Sequence, residues 1–176
     1  ANWSQLASTN NSDFYHVNDL DYDKVNGVLY AATRLGLYGS NDGGASFTPL
    51  VTGSGTDVHC TDIEIGYTNP TTIFATFGIF DQAEIWRSTD GGSSFSANLT
   101  QAGMGRIEMA VSKSNPAVLY ASFADLNTFG TALMAVTTDA GGNWFQINIP
   151  GPSYSGASTY TGTQAWYDNI LTVDPD

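Results

Sequence analysis

The sequence predicts an all-β fold: a β-propeller of four-stranded antiparallel blades, about three complete and two partial, belonging to a larger ring. Three observations carry that expectation. An octad recurs as Ser40-Asn41-Asp42-Gly43-Gly44-Ala45-Ser46-Phe47, Ser88-Thr89-Asp90-Gly91-Gly92-Ser93-Ser94-Phe95 and Thr137-Thr138-Asp139-Ala140-Gly141-Gly142-Asn143-Trp144, with starts 48 and 49 positions apart. Two strand-like segments precede every octad. No stretch keeps a 3.6-residue apolar period, so little helix is expected. Strand quartets returning every ~40–50 residues mark propeller blades.

The elements follow in register. Leu20-Asp21-Tyr22, Ile63-Glu64-Ile65 and Met109-Ala110-Val111 read as first strands. Val28-Leu29-Tyr30-Ala31, Ile73-Phe74-Ala75-Thr76 and Val118-Leu119-Tyr120-Ala121 read as second strands. Between them stand the turn residues Asn26-Gly27, Asn69-Pro70 and Asn115-Pro116. Ala1-Asn2-Trp3-Ser4-Gln5-Leu6 parallels Ala45-Ser46-Phe47-Thr48-Pro49-Leu50, and Leu171-Thr172-Val173 parallels Met109-Ala110-Val111. The expected division is 1–6 as the end of a preceding blade, blades at 7–53, 54–103 and 104–149, an inserted loop at 150–168, and a further first strand at 169–176. Rings of this kind close with about 4–8 blades, and unpaired blade edges are an aggregation liability. Residues 1–176 alone are therefore expected not to behave as an isolated, cooperatively unfolding monomer.

Within an octad, Asp-Gly-Gly supplies the positive-φ positions of a tight hairpin. The Asp carboxylate accepts from turn amides, the first Ser or Thr supports it, and the closing aromatic packs beneath. These residues resemble the Asp-box (BNR) repeat, Ser/Thr-x-Asp-x-Gly-x-x-Trp/Phe, of sialidases, xyloglucanase-type glycoside hydrolases, sortilin-like receptors and photosystem-assembly propellers. The resemblance covers nearly the whole chain; the third copy departs in having Ala140 for the first Gly. It implies structural roles for Ser40, Asp42, Gly44, Phe47, Ser88, Asp90, Gly92, Phe95, Thr137, Asp139, Gly141 and Trp144, with the three aspartates as turn caps. A less specific likeness, Gln164-x-Trp166-Tyr167-Asp168 followed by Val173-Asp174-Pro175, is to secreted Bacteroidetes propellers, many of which carry a type IX secretion sorting tail.

Composition narrows the function. Five Lys+Arg against 17 Asp+Glu give a net charge of −12, which excludes a phosphate-neutralising nucleic-acid surface. No apolar run approaches the ~20 residues of a membrane helix, so no membrane insertion is expected. Cys60 is alone, which rules out an intrachain disulfide and a multi-cysteine metal site, and it reads as a small buried apolar residue. Scarce lysine with abundant Asn, Ser, Thr and Gly fits a secreted or cell-surface protein.

Candidate functional residues lie where the first strands begin. His16-Val17-Asn18-Asp19-Leu20-Asp21 and His59-Cys60-Thr61-Asp62-Ile63-Glu64 repeat one pattern 43 residues apart and hold both histidines. The third unit has Gly105-Arg106-Ile107-Glu108 there, and the next begins Tyr167-Asp168-Asn169-Ile170. One reading makes the acids strand-start caps and the histidines packing residues. The other makes His16, Asp19, His59, Asp62, Arg106 and Asp168 a polar ring at a channel mouth, for a polar ligand or a divalent cation. Trp166 and Tyr167 end the inserted loop and either plug a gap between blades or serve recognition, including stacking on sugar rings. Asp19-x-Asp21-x-Asp23 lacks the Gly and Glu of an EF-hand, with Lys24 and Tyr30 in their places. No cofactor is expected, and a surface Ca2+ site stays open.

Catalytic residues are not identifiable. A sialidase resemblance calls for an arginine triad and an Arg-Ile-Pro motif, whereas Arg34, Arg87 and Arg106 are the only arginines and none precedes Ile-Pro. Two opposed carboxylates, as xyloglucanase-type enzymes use, cannot be singled out among pairs such as Asp19/Asp62 or Glu64/Glu108. The expected function is a binding or structural module for carbohydrate or protein. Its partners would be the remainder of its own propeller, or other chains completing the ring, and a polysaccharide or surface protein. The alternative is part of a glycoside hydrolase with catalytic residues partly outside this segment.

Overall fold

The structure, a computed structural model, describes residues 2–68, 71–151 and 159–174. Three four-stranded antiparallel sheets follow one another, each in chain order. The first holds β1 (Val17–Asp23), β2 (Val28–Thr33), β3 (Gly36–Ser40) and β4 (Thr48–Val51). The second holds β5 (Cys60–Gly66), β6 (Thr72–Phe77), β7 (Ala83–Ser88) and β8 (Ser96–Gln101). The third holds β9 (Met104–Val111), β10 (Leu119–Asp125), β11 (Thr131–Thr137) and β12 (Phe145–Ile147). Two 3-10 turns, Ala7–Thr9 and Ser12–Phe14, are the only helical turns among the described residues. The expected Asn69-Pro70 turn lies outside the described residues.

The sheets stack face to face because each strand alternates its side chains between two covered surfaces. Tyr30, Ala32 and Leu37 of the first sheet pack on Ile63, Ile65, Ile73, Ala75 and Phe77 of the second. Phe74, Ala83 and Ile85 of the second pack on Ile107, Met109, Leu119, Ala121 and Phe123 of the third. Each large apolar side chain buried this way contributes about 1.5–3 kcal/mol. Leu20, Ile63 and Met109 hold equivalent places, opposite Ala31, Ala75 and Ala121. Ile63 and Met109 are 3% exposed, whereas Leu20 is 58% exposed, because no described sheet covers the outer face of β1. Phe14 fills part of that face, with ring centroids 5.2 Å from Tyr38 and 4.8 Å from Phe47.

The three octads form one hairpin, between the third and fourth strand of every sheet. Ser40 Oγ donates to Asp42 Oδ1 (2.8 Å) and accepts from Gly44 N (2.8 Å), while Asp42 accepts from Ser46 N (2.9 Å) and Ser46 Oγ (2.6 Å). Ser88, Asp90, Gly92 and Ser94 repeat the pattern at 2.7, 2.8, 2.9 and 2.6 Å. Thr137, Asp139, Gly141 and Asn143 repeat it at 2.8, 2.8, 2.8 and 2.7 Å. These donors hold all three carboxyls down at about 2. The hairpins also join sheets: Asn98 Nδ2 donates to Gly141 O (2.8 Å) and Trp144 Nε1 to Asn98 Oδ1 (2.8 Å). Gly92 abuts Tyr30 of the preceding sheet as Gly141 abuts Phe74.

Residues 2–6 and 169–174 carry no strand pairing. A first strand pairs with the second strand of its own blade, and no such partner for 169–174 stands among the described residues. Residues 169–174 lie against the third sheet. Asn169, 1% exposed, donates to Ser122 O (3.3 Å), and Leu171 and Val173 face Tyr120, Met134 and Ile147 across a cavity of about 350 Å3.

Candidate functional site

Antiparallel order fixes which loops share an end. The octad hairpins and the turns between first and second strands lie at one end of the stack. The connections between second and third strands, and those between sheets, lie at the other. The starts of β1, β5 and β9 therefore belong to the end opposite the octads.

His16 and His59 occupy equivalent positions there. The His16 carbonyl accepts from Arg34 N (3.1 Å) and the His59 carbonyl from Gly78 N (3.0 Å), each donor following a second strand. The ring of His59 pairs with Asp57, whereas the exposed His16 ring joins no cluster among the described residues. Burial works against the Asp57 charge, but the amides of Phe80 (2.8 Å) and Ile79 (2.8 Å) outweigh it and hold the carboxyl below its ordinary value. Asp57 thereby ties the connection before β5 to the loop after β6. Asp81 of that loop does the same, accepting from Thr56 N (3.1 Å), and Glu84 at the start of β7 accepts from Ser54 N (2.9 Å) and Trp86 Nε1 (2.7 Å).

On that fixed loop stands Phe80, 61% exposed. Trp166 reaches it from the inserted connection after the third sheet, with centroids 6.0 Å apart, and Tyr167 meets Trp166 edge-on at 4.4 Å. The connection is itself held: Ala165 N donates to Phe129 O (2.8 Å), Thr131 N to Thr161 Oγ1 (3.0 Å), and Asp168 N to Gln164 O (2.7 Å). Residues 152–158 of the insertion lie outside the described residues. The result is an exposed platform of three aromatic rings drawn from two sheets.

The inner strands carry a row of acids. Asp19 Oδ2 accepts from Ile63 N (3.1 Å) and Asp62 Oδ2 from Met109 N (2.6 Å), so each reaches the backbone of the next sheet. Asn18 Nδ2 and Thr61 Oγ1 repeat the stitch, donating to Cys60 O (2.7 Å) and Ile107 O (3.3 Å). Glu108 takes the equivalent place in β9 and pairs with Arg106 Nε at 2.6 Å. Burial raises Asp62 well above the carboxylate range, with the charge of Glu108 adding to it. Burial pushes Glu108 up to about 6 against the opposing Arg106 guanidinium, and Glu64 up to about 7. Cys60 is fully buried and its thiol is raised by burial, which leaves it unreactive.

The structure thus joins Asp57, His59, Phe80, Trp166 and Tyr167 through successive contacts, and Asp62, Arg106 and Glu108 along the inner strands. His16 and Asp168 stand exposed outside both sets. Asp19 and Asp62 are engaged by backbone amides inside the strands of the neighbouring sheet. Among the described residues, no group of three or more His, Cys, Asp or Glu is placed to hold a metal ion, Asp19-Asp21-Asp23 included. Sequence reading missed Asp57 and Phe80. Phe80 stands beside the turn-like Gly78 and Asp81, a loop-aromatic signal like that of Trp166.

Comparison with solved structures places this architecture. The GH74 xyloglucanase of Xanthomonas campestris matches with a TM-score of 0.67 at 18% identity, over 97% of this chain and 28% of that one. The fold is a β-propeller. An ancestral GH74 enzyme matches with a TM-score of 0.59 at 20% identity, over 82% of this chain and 19% of that one. YCF48 from Cyanidioschyzon merolae matches with a TM-score of 0.51 at 16% identity, over 81% of this chain and 40% of that one. The propeller chain described here thus spans well under half the length of the proteins it resembles. No family model and no curated protein matches it. No helix among the described residues is long and apolar enough to cross a membrane.

Proposed function

We propose that the chain is part of a secreted or cell-surface Asp-box propeller that binds carbohydrate at the end opposite the octad hairpins. The observation that carries this reading is the Phe80–Trp166–Tyr167 platform. Exposed aromatic faces on fixed loops stack against the apolar faces of sugar rings, and neighbouring polar groups supply orientation. Here that group is the Asp57–His59 pair, whose Asp57 accepts from Phe80 N. The acid-rich surface favours a neutral polysaccharide over an anionic one. The exposed outer face of β1 is assigned to a further blade, because the equivalent face of β5 is covered by its neighbour. No cofactor is proposed.

A glycoside hydrolase is the second reading, favoured by Glu108. A carboxyl raised to about 6 beside a fixed cation suits a general acid. The two readings separate in one experiment. Titration with neutral β-glucan oligosaccharides should give saturable binding that Trp166→Ala reduces about tenfold or more, a stacking contribution of roughly 1–3 kcal/mol by analogy with base stacking. Product release lost in Glu108→Gln would establish the hydrolase. Undiminished binding in Trp166→Ala would remove the platform from the site.

A further inference from the structure

The octad end holds a second concavity, separate from the platform. Asp21, Lys24, Glu64, Tyr67, Lys113 and Pro116 line a cavity of about 550 Å3, with contributions from all three sheets. Its size falls within the range of small-molecule sites, roughly 300–1,000 Å3.

Both signs of charge line it. Asp21 and Glu64 project from the inner strands β1 and β5, while Lys24 and Lys113 stand on the turns that follow β1 and β9. Two of the chain's 5 cations thus face one cavity. They make no direct ion pair with the acids: the ion pairs among the described residues are His59–Asp57 and Arg106–Glu108. The Lys24 ammonium sits 4.5 Å from the Tyr67 ring centroid, and Tyr67 Oη donates to Tyr22 O (3.1 Å), which fixes that ring. Burial raises both Asp21 and Glu64, with Asp19 and Asp21 adding to the rise of Glu64 while Val111 N and Lys113 oppose it. Carboxylates and ammonium groups therefore share one cavity without meeting.

We infer that this cavity binds a small zwitterion of the amino-acid class, its ammonium toward Asp21 and Glu64 and its carboxylate toward Lys113 and Lys24. A zwitterion supplies the counter-charge that each half lacks, through charge-assisted hydrogen bonds. An ammonium beside Glu64 also favours the ionised carboxyl, so binding near neutral pH releases a proton. The charged groups around Glu64 are Asp19 and Asp21 from β1, Asp62 from its own strand, and Lys24 and Lys113 from the turns.

The test is calorimetric titration of the whole chain with glycine, γ-aminobutyrate and ε-aminocaproate, against acetate and methylammonium. At least one zwitterion should bind about tenfold or more tightly than either singly charged probe. Glu64→Gln and Lys113→Met should each weaken it about tenfold, and titrations in buffers of different ionisation enthalpy should show proton release that Glu64→Gln abolishes. Glu64→Gln keeps a side-chain oxygen that can accept from Val111 N of the third sheet, and Lys24→Met is a third variant should either misfold. If no zwitterion outbinds acetate and methylammonium, the inference fails. It also fails if Lys113→Met leaves affinity unchanged, since the site then takes cations alone, or if Glu64→Gln does, since it then takes anions alone.

Discussion

Gly92→Ala tests whether the octad hairpins are joints between sheets. Gly92 has a φ of +87°, and a methyl there would collide with Tyr30 Oη and lie 3.1 Å from Ile73 Cδ1. Gly43 provides the control: its φ is +72°, but a methyl there meets nothing within 4 Å. For Gly43→Ala the cost is conformational. Left-handed backbone costs an L-residue about 1–2 kcal/mol, and the restricted unfolded chain returns about 0.4–1 kcal/mol, leaving roughly 1 kcal/mol. Gly92→Ala carries the same cost plus overpacking of about 1–3 kcal/mol, because Tyr30 is buried and cannot withdraw. The sum is about 2–4 kcal/mol. Urea unfolding followed by tryptophan fluorescence should show the difference as a shift in midpoint at unchanged slope. Equal losses in the two variants would refute the joint, since the hairpin would then be strained without touching its neighbour.

Three further outcomes follow from the same structure. Ala140 holds the first-glycine place of the third octad at a φ of +55°, so Ala140→Gly should stabilise by up to about 1 kcal/mol, read as a rise in melting temperature. Stability should peak at about pH 4–5 and fall on both sides. Glu108 and Glu64, raised to about 6 and 7, contribute fully below their unfolded values and lose that contribution as pH rises through their folded ones. Asp42, Asp90 and Asp139, held at about 2, contribute above their unfolded values and lose that as pH falls. Thermal melts across this range check it, and Glu64→Gln should flatten the alkaline limb. Finally, Ile63→Ala should cost about 2–5 kcal/mol and Leu20→Ala under about 0.5 kcal/mol where β1 stays uncovered. A comparable loss at Leu20 in a longer chain would show a further blade seated on that face.

The propeller was legible because its determinants are local and repeated. Asp42, Asp90 and Asp139 find their partners within four residues, so the sequence window that shows the octad also holds its hydrogen bonds. The acids of the inner strands were visible, but their partners were not. Asp19 reaches Ile63 N and Asp62 reaches Met109 N, 44 and 47 positions on, and backbone amides leave no mark in a sequence. Phe80 and Trp166 meet only because two loops from different sheets share one end of the fold. Residues 169–174 lie against the third sheet through Asn169 and Ser122, 47 positions apart, another contact that no local window holds.

Hydrogen exchange of the chain, with and without a saturating neutral β-glucan oligosaccharide, tests the central claim most directly. The account predicts slowed exchange in the loops carrying Phe80 and in the 164–168 segment carrying Trp166 and Tyr167, with the three octad hairpins unchanged. Protection confined to those hairpins, or absent from the aromatic loops at saturation, would contradict it.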